Sequence, residues 1–210
     1  MPIEKSQVIQ KALEILNRDG LEGVSIRRLA TELNIKGASI YWHIPAKSEL
    51  IDEMANAILD KHFNAFEFQN DERDWAEWLS TLAHELRAAM LAYPDGARVV
   101  AGTHPDLGQV LIKLWDLTIR VLHKAGFDYA MAATITVTVT NFTFGSVIEE
   151  QSSQLPETGP KLQPTELPLA LRSALEEWQN ENDDLRFDTA VRMIINGVRA
   201  ELNAQSSRLN

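Results

Sequence analysis

Three short amphipathic stretches fill the first 45 residues, and each is closed by a residue at which a helix readily stops. Val8, Ile9, Ala12, Leu13 and Leu16 recur at helical spacing, and Gly20 follows as a C-terminal cap. Ser25 is a good N-cap for a second helix with the apolar face Ile26, Leu29, Ala30 and Leu33. Asn34 comes next, and asparagine tolerates the left-handed conformation that a sharp turn between helices requires. Ile35 plugs the core beneath that turn. A third helix over 37–43 buries Ile40, and Pro45 breaks the chain because its ring cannot sit in a helix interior. Three short helices with a tight turn between the last two match a helix-turn-helix. Many small helical bundles share this pattern, so it does not decide the function alone.

Helical periodicity continues beyond Pro45. A long helix is predicted over 48–66, turning Leu50, Ile51, Met54, Ala57 and Ile58 inward. The polar stretch 69–74 reads as a loop. Trp75, Trp78, Leu79, Leu82, Leu86 and Met90 mark another amphipathic helix, and Pro94-Asp95-Gly96 is a turn signal. His104-Pro105 is a further break, and 107–125 is helical with Gly126 as its cap. Residues 134–144, TITVTVTNFTF, alternate like a strand and are rich in β-branched side chains. No second convincing strand exists to pair with them, and a lone strand leaves its backbone groups unsatisfied. Ala130, Ala132 and Ala133 favour helix, so 129–151 is read as one helix against local propensity. Four of the eight prolines fall in 151–168, which reads as a long loop. Helices over 169–181 and 187–203 close the chain, the latter with Phe187, Ala190, Val191, Ile194, Ile195 and Val198 apolar. The expected fold is all-α.

Charge is distributed unevenly. The net charge is −10, which argues against a general nucleic-acid coat protein. Residues 1–47 nevertheless carry +2, from seven Lys/Arg against five acids, and the remainder carries −12. A basic head on an acidic body points to a polyanion met by the head alone. There are no cysteines, so disulfides, thiolate metal sites and thiol catalysis are excluded. The first ten residues lack an apolar signal core, and no apolar run is read as reaching the roughly 20 residues of a membrane span. A cytoplasmic protein without membrane contact is expected.

The run Ser39-Ile40-Tyr41-Trp42-His43-Ile44-Pro45-Ala46-Lys47-Ser48-Glu49-Leu50 resembles the signature of the tetracycline-repressor (TetR) family of regulators. Ala12, Leu13, Gly20 and the run Ser25-Ile26-Arg27-Arg28-Leu29-Ala30 also fall where that family's pattern expects them. The resemblance is specific over 5–60. It continues more weakly through Asp95-Gly96-Ala97, Gly102-Thr103, Phe142-Thr143 and Glu149-Glu150-Gln151, which look like the ligand domain of the tetracycline-repressor branch. It implies a DNA-binding head over 1–47, a connecting helix over 48–66 and a ligand-binding and dimerisation domain over 67–205. It also implies a homodimer on a palindromic operator, with 129–151 and 187–203 forming a four-helix interface. The small residues Ala132, Ala133, Gly145 and Gly197 suit such an interface and equally an ordinary core.

For a helix-turn-helix, base reading falls to side chains at the start and on the exposed face of the third helix. Lys36, Gly37, Ala38, Ser39, Tyr41 and Trp42 are the positions available, and Arg27 on the second helix reaches a guanine edge or a phosphate. Tyr41 and His43 would hydrogen-bond phosphates, and Lys47 would add charge. Against this, Tyr41 and Lys47 also suit a plain surface, and His43 serves equally as a structural cap. Trp42 is expected to be half-buried packing. Gly37-Ala38 stands where the tetracycline-repressor branch carries Gln-Pro, so a different operator is expected.

The resemblance also supplies a ligand set. Where that branch holds its drug and magnesium, this chain has Phe63, Leu82, Leu86 and Val100 in place of polar groups, including Val100 for a metal-binding His. Thr103 and Glu149 match, and His104 replaces an Arg. Thr and Glu alone make a poor divalent site, so neither magnesium, nor any other cofactor, nor tetracycline is expected. Phe63, Leu82, Leu86, Val100, Pro105, Trp115 and Leu117 would line a greasier pocket, with Leu171, Leu175 and Trp178 closing it. Thr103, His104, Asn141 and Glu149 are its polar candidates, and the composition suits a largely apolar effector. Each aliphatic suits a plain core equally well.

Two other classes compete. The five histidines show no H-E-x-x-H spacing, and neither G-x-S-x-G nor a phosphate-binding glycine loop occurs, so an enzyme is not expected. A helical interaction module without DNA binding predicts no salt-dependent DNA affinity, whereas a repressor predicts a steep fall with salt. An activator of the same fold stays open.

Overall fold

Helix starts need partners for their free N–H groups, and the head supplies them locally. The computed structural model describes residues 3–63, 73–104, 108–153, 167–178 and 182–208. Helix α1, Lys5–Asp19, opens on a reciprocal cap between Glu4 and Gln7, and Gly20 ends it at a left-handed φ of 68°. Helix α2, Ile26–Glu32, opens on Ser25, whose hydroxyl accepts from the Arg28 amide at 3.2 Å. Asn34 takes φ 53°, as its type predicts, and the Ile35 amide returns to the Ala30 carbonyl. Helix α3, Gly37–Tyr41, follows immediately. The body then adds α4 Lys47–Phe63, α5 Trp75–Leu91, α6 Gly96–Ala101, α7 Gln109–Lys124, α8 Tyr129–Ser153, α9 Leu169–Trp178 and α10 Asp183–Arg208. No strand occurs among the described residues.

The β-branched run is helical, as the absence of a pairing strand required. Within α8, the hydroxyls of Thr134, Thr136, Thr138, Thr140 and Thr143 each donate to the carbonyl four residues back at 2.8 Å. This back-bonding satisfies Thr136, Thr140 and Thr143 while they are buried, so threonine serves as a core residue. One expectation needs correcting. Helix α8 is long and apolar enough to cross a membrane, with a mean hydropathy of 1.4 over its best window. Its stripe Ala132, Ile135, Thr136, Val139, Thr143 and Val147 is buried in protein, which makes it a core helix.

Helix α6 was not foreseen, because Pro94-Asp95-Gly96 signalled only a turn. Asp95 adopts φ 57°, and a Cβ at Gly96 would lie 2.1 Å from the Met90 carbonyl, so only glycine lets α6 start against α5. Gln151 clasps this corner. Its amide donates to the carbonyls of Met90 and Tyr93, and its oxygen accepts from the Ala97 amide.

The chain divides into two compact units, residues 1–151 and 152–210. In the first, one core runs from Val8 and Leu16 through Ile40 and Ile44 to Leu50, Met54, Leu86, Val100 and Leu114, so the head shares its core with α4. Trp78 Nε1 donates to Thr118 at 2.9 Å inside α5 and α7, and Arg87 grips Glu150 through two bonds of 3.0 and 2.9 Å. In the second unit, Arg186 on α10 donates to the Trp178 carbonyl at the end of α9 and covers its ring. Phe187, Val191, Ile195 and Val198 form the buried stripe of α10. The expected polar loop at 69–74, the 151–168 loop and the ends of two predicted helices, 64–66 and 179–181, lie wholly or largely outside the described residues.

Candidate DNA-reading helix and effector cavity

Ile40 and Ile44 are fully buried, and they hold α3 against the head by one edge. Residues two positions apart along a helix are about 200° apart, so Ala38 and Trp42, two positions either side of Ile40, face outward. Ala38, Ser39 and Tyr41 are exposed, Gly37 is half-buried, and Lys36 is exposed at the N-cap. Trp42 is 83% exposed, which overturns the expected packing role. The same 200° from Ile40 carried that signal in the sequence. The His43 ring lies half-buried, edge-on to Trp42 at 5.0 Å, and makes no hydrogen bond among the described residues.

Ion pairing sorts the cations of the head. Lys5 lies 2.7 Å from Glu53, and Lys11 pairs with Glu14. Arg18 and Arg28 share Asp19 and Glu32 in a cluster joining α1 to α2. Hydrogen bonds from Arg18 are the main cause holding both the Asp19 and the Glu32 carboxyl below the usual carboxylate range. Arg27, Lys36 and Lys47 remain. Each is exposed and has no acidic partner among the described residues. The uncompensated charge of the head therefore lies on and beside α3, where a polyanion would meet it.

A second site lies in the first unit, where the end of α6 meets α7 and α8. A cavity of about 200 Å³ is lined there by Val100, Thr103, His104, Trp115 and Asn141 from the expected set. Ala101, Gly108, Leu111, Ile112 and Phe144 complete it. Trp115 Nε1 is buried and has no hydrogen-bond partner among the described residues. Phe63, Leu82 and Leu86 are at most 1% exposed and belong to the core, Leu117 is buried outside the cavity lining, and Glu149 is exposed. Leu171 and Trp178 are exposed and Leu175 is half-buried on α9, and Pro105 lies outside the described residues. A larger cleft of about 940 Å³ between α1, α4 and α7 is lined by Lys5, Glu53, Asp60, Lys61 and Lys113, and Lys5 pairs with Glu53 across it.

Two carboxylates, neither of them expected at a site from the sequence, tie this cavity to the head. Asp52 on α4 is 2% exposed and accepts from the His104 amide at 2.8 Å, with His104 Nδ1 at 3.1 Å from its other oxygen. Asp52 falls on the same face of α4 as Ala55 and Leu59, and an acid in that buried stripe was the signal. Asp95, at the opposite end of α6, accepts from the Leu21 amide of the head at 2.9 Å. Helix α6 thus touches the head at its start and the cavity at its end. Among the described residues no group of three or more His, Asp or Glu gathers that could hold a metal. With Val100 at the position the resemblance gives to an imidazole, a magnesium–drug complex does not fit this site.

Comparison with known proteins agrees with this geometry. Residues 8–54 match the family model "Bacterial regulatory proteins, tetR family", and residues 69–202 match "Tetracyclin repressor-like, C-terminal domain". Tetracycline repressor protein class A from transposon 1721 of Escherichia coli is 34% identical over 199 residues, 93% of this chain and 90% of that protein. A possible TetR family regulator from Streptomyces coelicolor A3(2) superposes with a TM-score of 0.82 at 32% identity, covering 94% of this chain and 99% of that one. A glutamine-to-alanine TetR variant from Acinetobacter baumannii AYE in complex with minocycline gives a TM-score of 0.77 at 30% identity, with 94% of each chain covered. With an outward third helix, free cations beside it and both halves matched, the chain belongs to the TetR family of ligand-responsive, helix-turn-helix transcriptional repressors.

Proposed function

We propose that this protein is a cytoplasmic repressor, with no catalytic activity, that binds a palindromic operator as a homodimer and is released by a small, largely apolar effector. The observation that carries the DNA reading is the sorting of charge: Arg27, Lys36 and Lys47 alone among the cations of residues 1–47 lack an acidic partner among the described residues. Lys36, Gly37, Ala38, Ser39, Tyr41 and Trp42 face the major groove, while Arg27, His43 and Lys47 take guanine or phosphate contacts. Two heads on successive grooves require a two-fold partner. Helices α8 and α10 are assigned to that contact. Gly145 and Gly197 open onto empty space in the single chain, and Leu185 and Met193 on α10 are 50% and 68% exposed.

The functional division is a head over 1–47, a connecting helix over 48–66 and an effector and dimerisation region over 67–205. The effector enters the cavity at Val100, Thr103, His104, Trp115 and Asn141. Because His104 holds Asp52 and Asp95 holds Leu21, displacement of α6 shifts α4 and the head together. Release needs an effector that prefers the displaced state, since equal affinity for both states shifts nothing. Selection of bound duplexes from a random pool tests the reading. A recovered palindrome with half-sites about one helical turn apart is expected. A pool that stays unenriched, or an unpaired half-site, counts against it.

A further inference from the structure

We infer that Ala38 and Trp42 select the operator by the 5-methyl group of a thymine, which they read by apolar contact instead of a hydrogen bond. The inference rests on α3 entering the major groove, and it adds the base feature that the helix recognises there. In that groove each base pair shows its own pattern of donors and acceptors, and thymine alone adds an apolar group. Discriminating hydrogen bonds to base edges come from Arg, Lys, Asn, Gln, Asp and Glu. None of these lies between Gly37 and Trp42. Ser39 both donates and accepts, so it does not tell one base from another.

The outward face of the helix offers apolar surface in their place. The Trp42 amide donates to the Ala38 carbonyl at 3.3 Å, so helical geometry continues through Trp42. Residues four apart are neighbours on one helix face, which sets the Ala38 methyl one turn below the indole. Both side chains are exposed, and Trp42, at 83%, is the most exposed large apolar side chain among the described residues. The half-buried His43 ring props the indole edge-on at 5.0 Å. A Cβ at Gly37 would meet nothing within 4 Å, so the chain leaves the approach to the start of α3 open. An apolar surface held out in water gains free energy from any apolar partner that covers it, and in the groove that partner is the thymine methyl.

The test takes the palindrome recovered by selection and replaces each thymine in turn by deoxyuridine. This removes one methyl, keeps every hydrogen-bonding group of the base and leaves the protein unaltered. Fluorescence anisotropy with the full-length protein reads the affinity. At least one thymine in each half-site is expected to matter. Affinity should fall about fourfold for one methyl lost and about fifteenfold when the symmetric pair is lost. Trp42→Ala removes a side chain that lies outside the core, so its fold should persist. This variant should bind the thymine operator more weakly and distinguish it from the deoxyuridine duplex by less than about twofold. The same comparison removes any effect of the methyl on the duplex itself, which the variant would still feel. Discrimination of about twofold or more by Trp42→Ala overturns the inference. So does a palindrome that lacks thymine, or one in which no deoxyuridine lowers affinity by about twofold, and in both cases the operator-binding reading stands. A pool that yields no operator overturns that reading and this inference with it.

Discussion

The two sites of this protein are built in opposite ways. The reading head presents side chains outward from α3, anchored by the buried pegs Ile40 and Ile44, and its cations Arg27, Lys36 and Lys47 have no acidic partner among the described residues. The proposed effector cavity faces inward and gathers residues from α6, α7 and α8 that lie up to 44 positions apart, from Val100 to Phe144. A surface that meets a charged polymer can be written in one short stretch, because the polymer supplies the partners. A pocket for a small molecule must enclose it, so its residues come from distant segments. The head should therefore respond to substitution through affinity and salt, and the body through stability and effector response.

The largest effect is expected in the body. Glu150→Ala leaves Arg87 without its carboxylate at a site where the two side chains are only 11% and 12% exposed. Breaking such a pair should cost about 3 kcal/mol of unfolding free energy, measured by urea titration. A cost below about 1 kcal/mol would show that the pair is solvated. The base preference of the head should not change, and a change would dissolve the distinction between the regions.

Next come the head contacts. Arg27→Ala and Tyr41→Ala are each expected to weaken operator binding by about 1–3 kcal/mol while the dimer and its melting temperature stay near those of the parent. Fluorescence anisotropy on the selected operator, paired with sedimentation, measures both. Near-parental affinity in both variants would refute the contact assignment. A smaller, sequence-blind effect is predicted for Lys36→Ala and Lys47→Ala, each lowering the slope of log affinity against log salt by about 1. An unchanged slope would place these lysines away from phosphate.

This contrast explains what could be read in the sequence. Gly20, Ser25 and Asn34 each do one local job that their residue types announce, so the head helices were legible almost to the residue. The α8 helix was legible only by elimination, because its threonines follow strand propensity and reveal their back-bonding only once coiled. Helix α6 was missed because its start depends on the close approach of Gly96 to Met90, a contact that no residue pattern displays. In the cavity, Val100, Thr103, His104, Trp115 and Asn141 converge, whereas Phe63, Leu82 and Leu86 fill the core. An apolar residue facing a core and one facing a cavity look alike in sequence. Trp42 was misjudged for a different reason: its size outweighed its angular distance from Ile40.

The smallest expected effect concerns acid. Asp19 and Glu32 are held below the usual carboxylate range by Arg18, so their folded values lie under their unfolded ones. Their contribution is present above the unfolded range of about 4 and is lost as pH falls through the folded values. Both groups are solvent-exposed, so the loss should be slight and confined to strongly acidic solution. Arg18→Gln should flatten the acid limb of the stability curve, and an unaltered limb would exclude the cluster as its source.

The central claim is that α6 links the cavity to the head. Coupling between sites is reciprocal, so operator binding must be felt at the cavity even without an effector. Backbone amide exchange on the full-length protein, with and without the selected operator duplex, reads this directly. The account predicts slower exchange at the amides of Leu21 and His104, which Asp95 and Asp52 hold, together with the protection of α3. Protection confined to residues 27–47, with Leu21 and His104 unchanged, would contradict it.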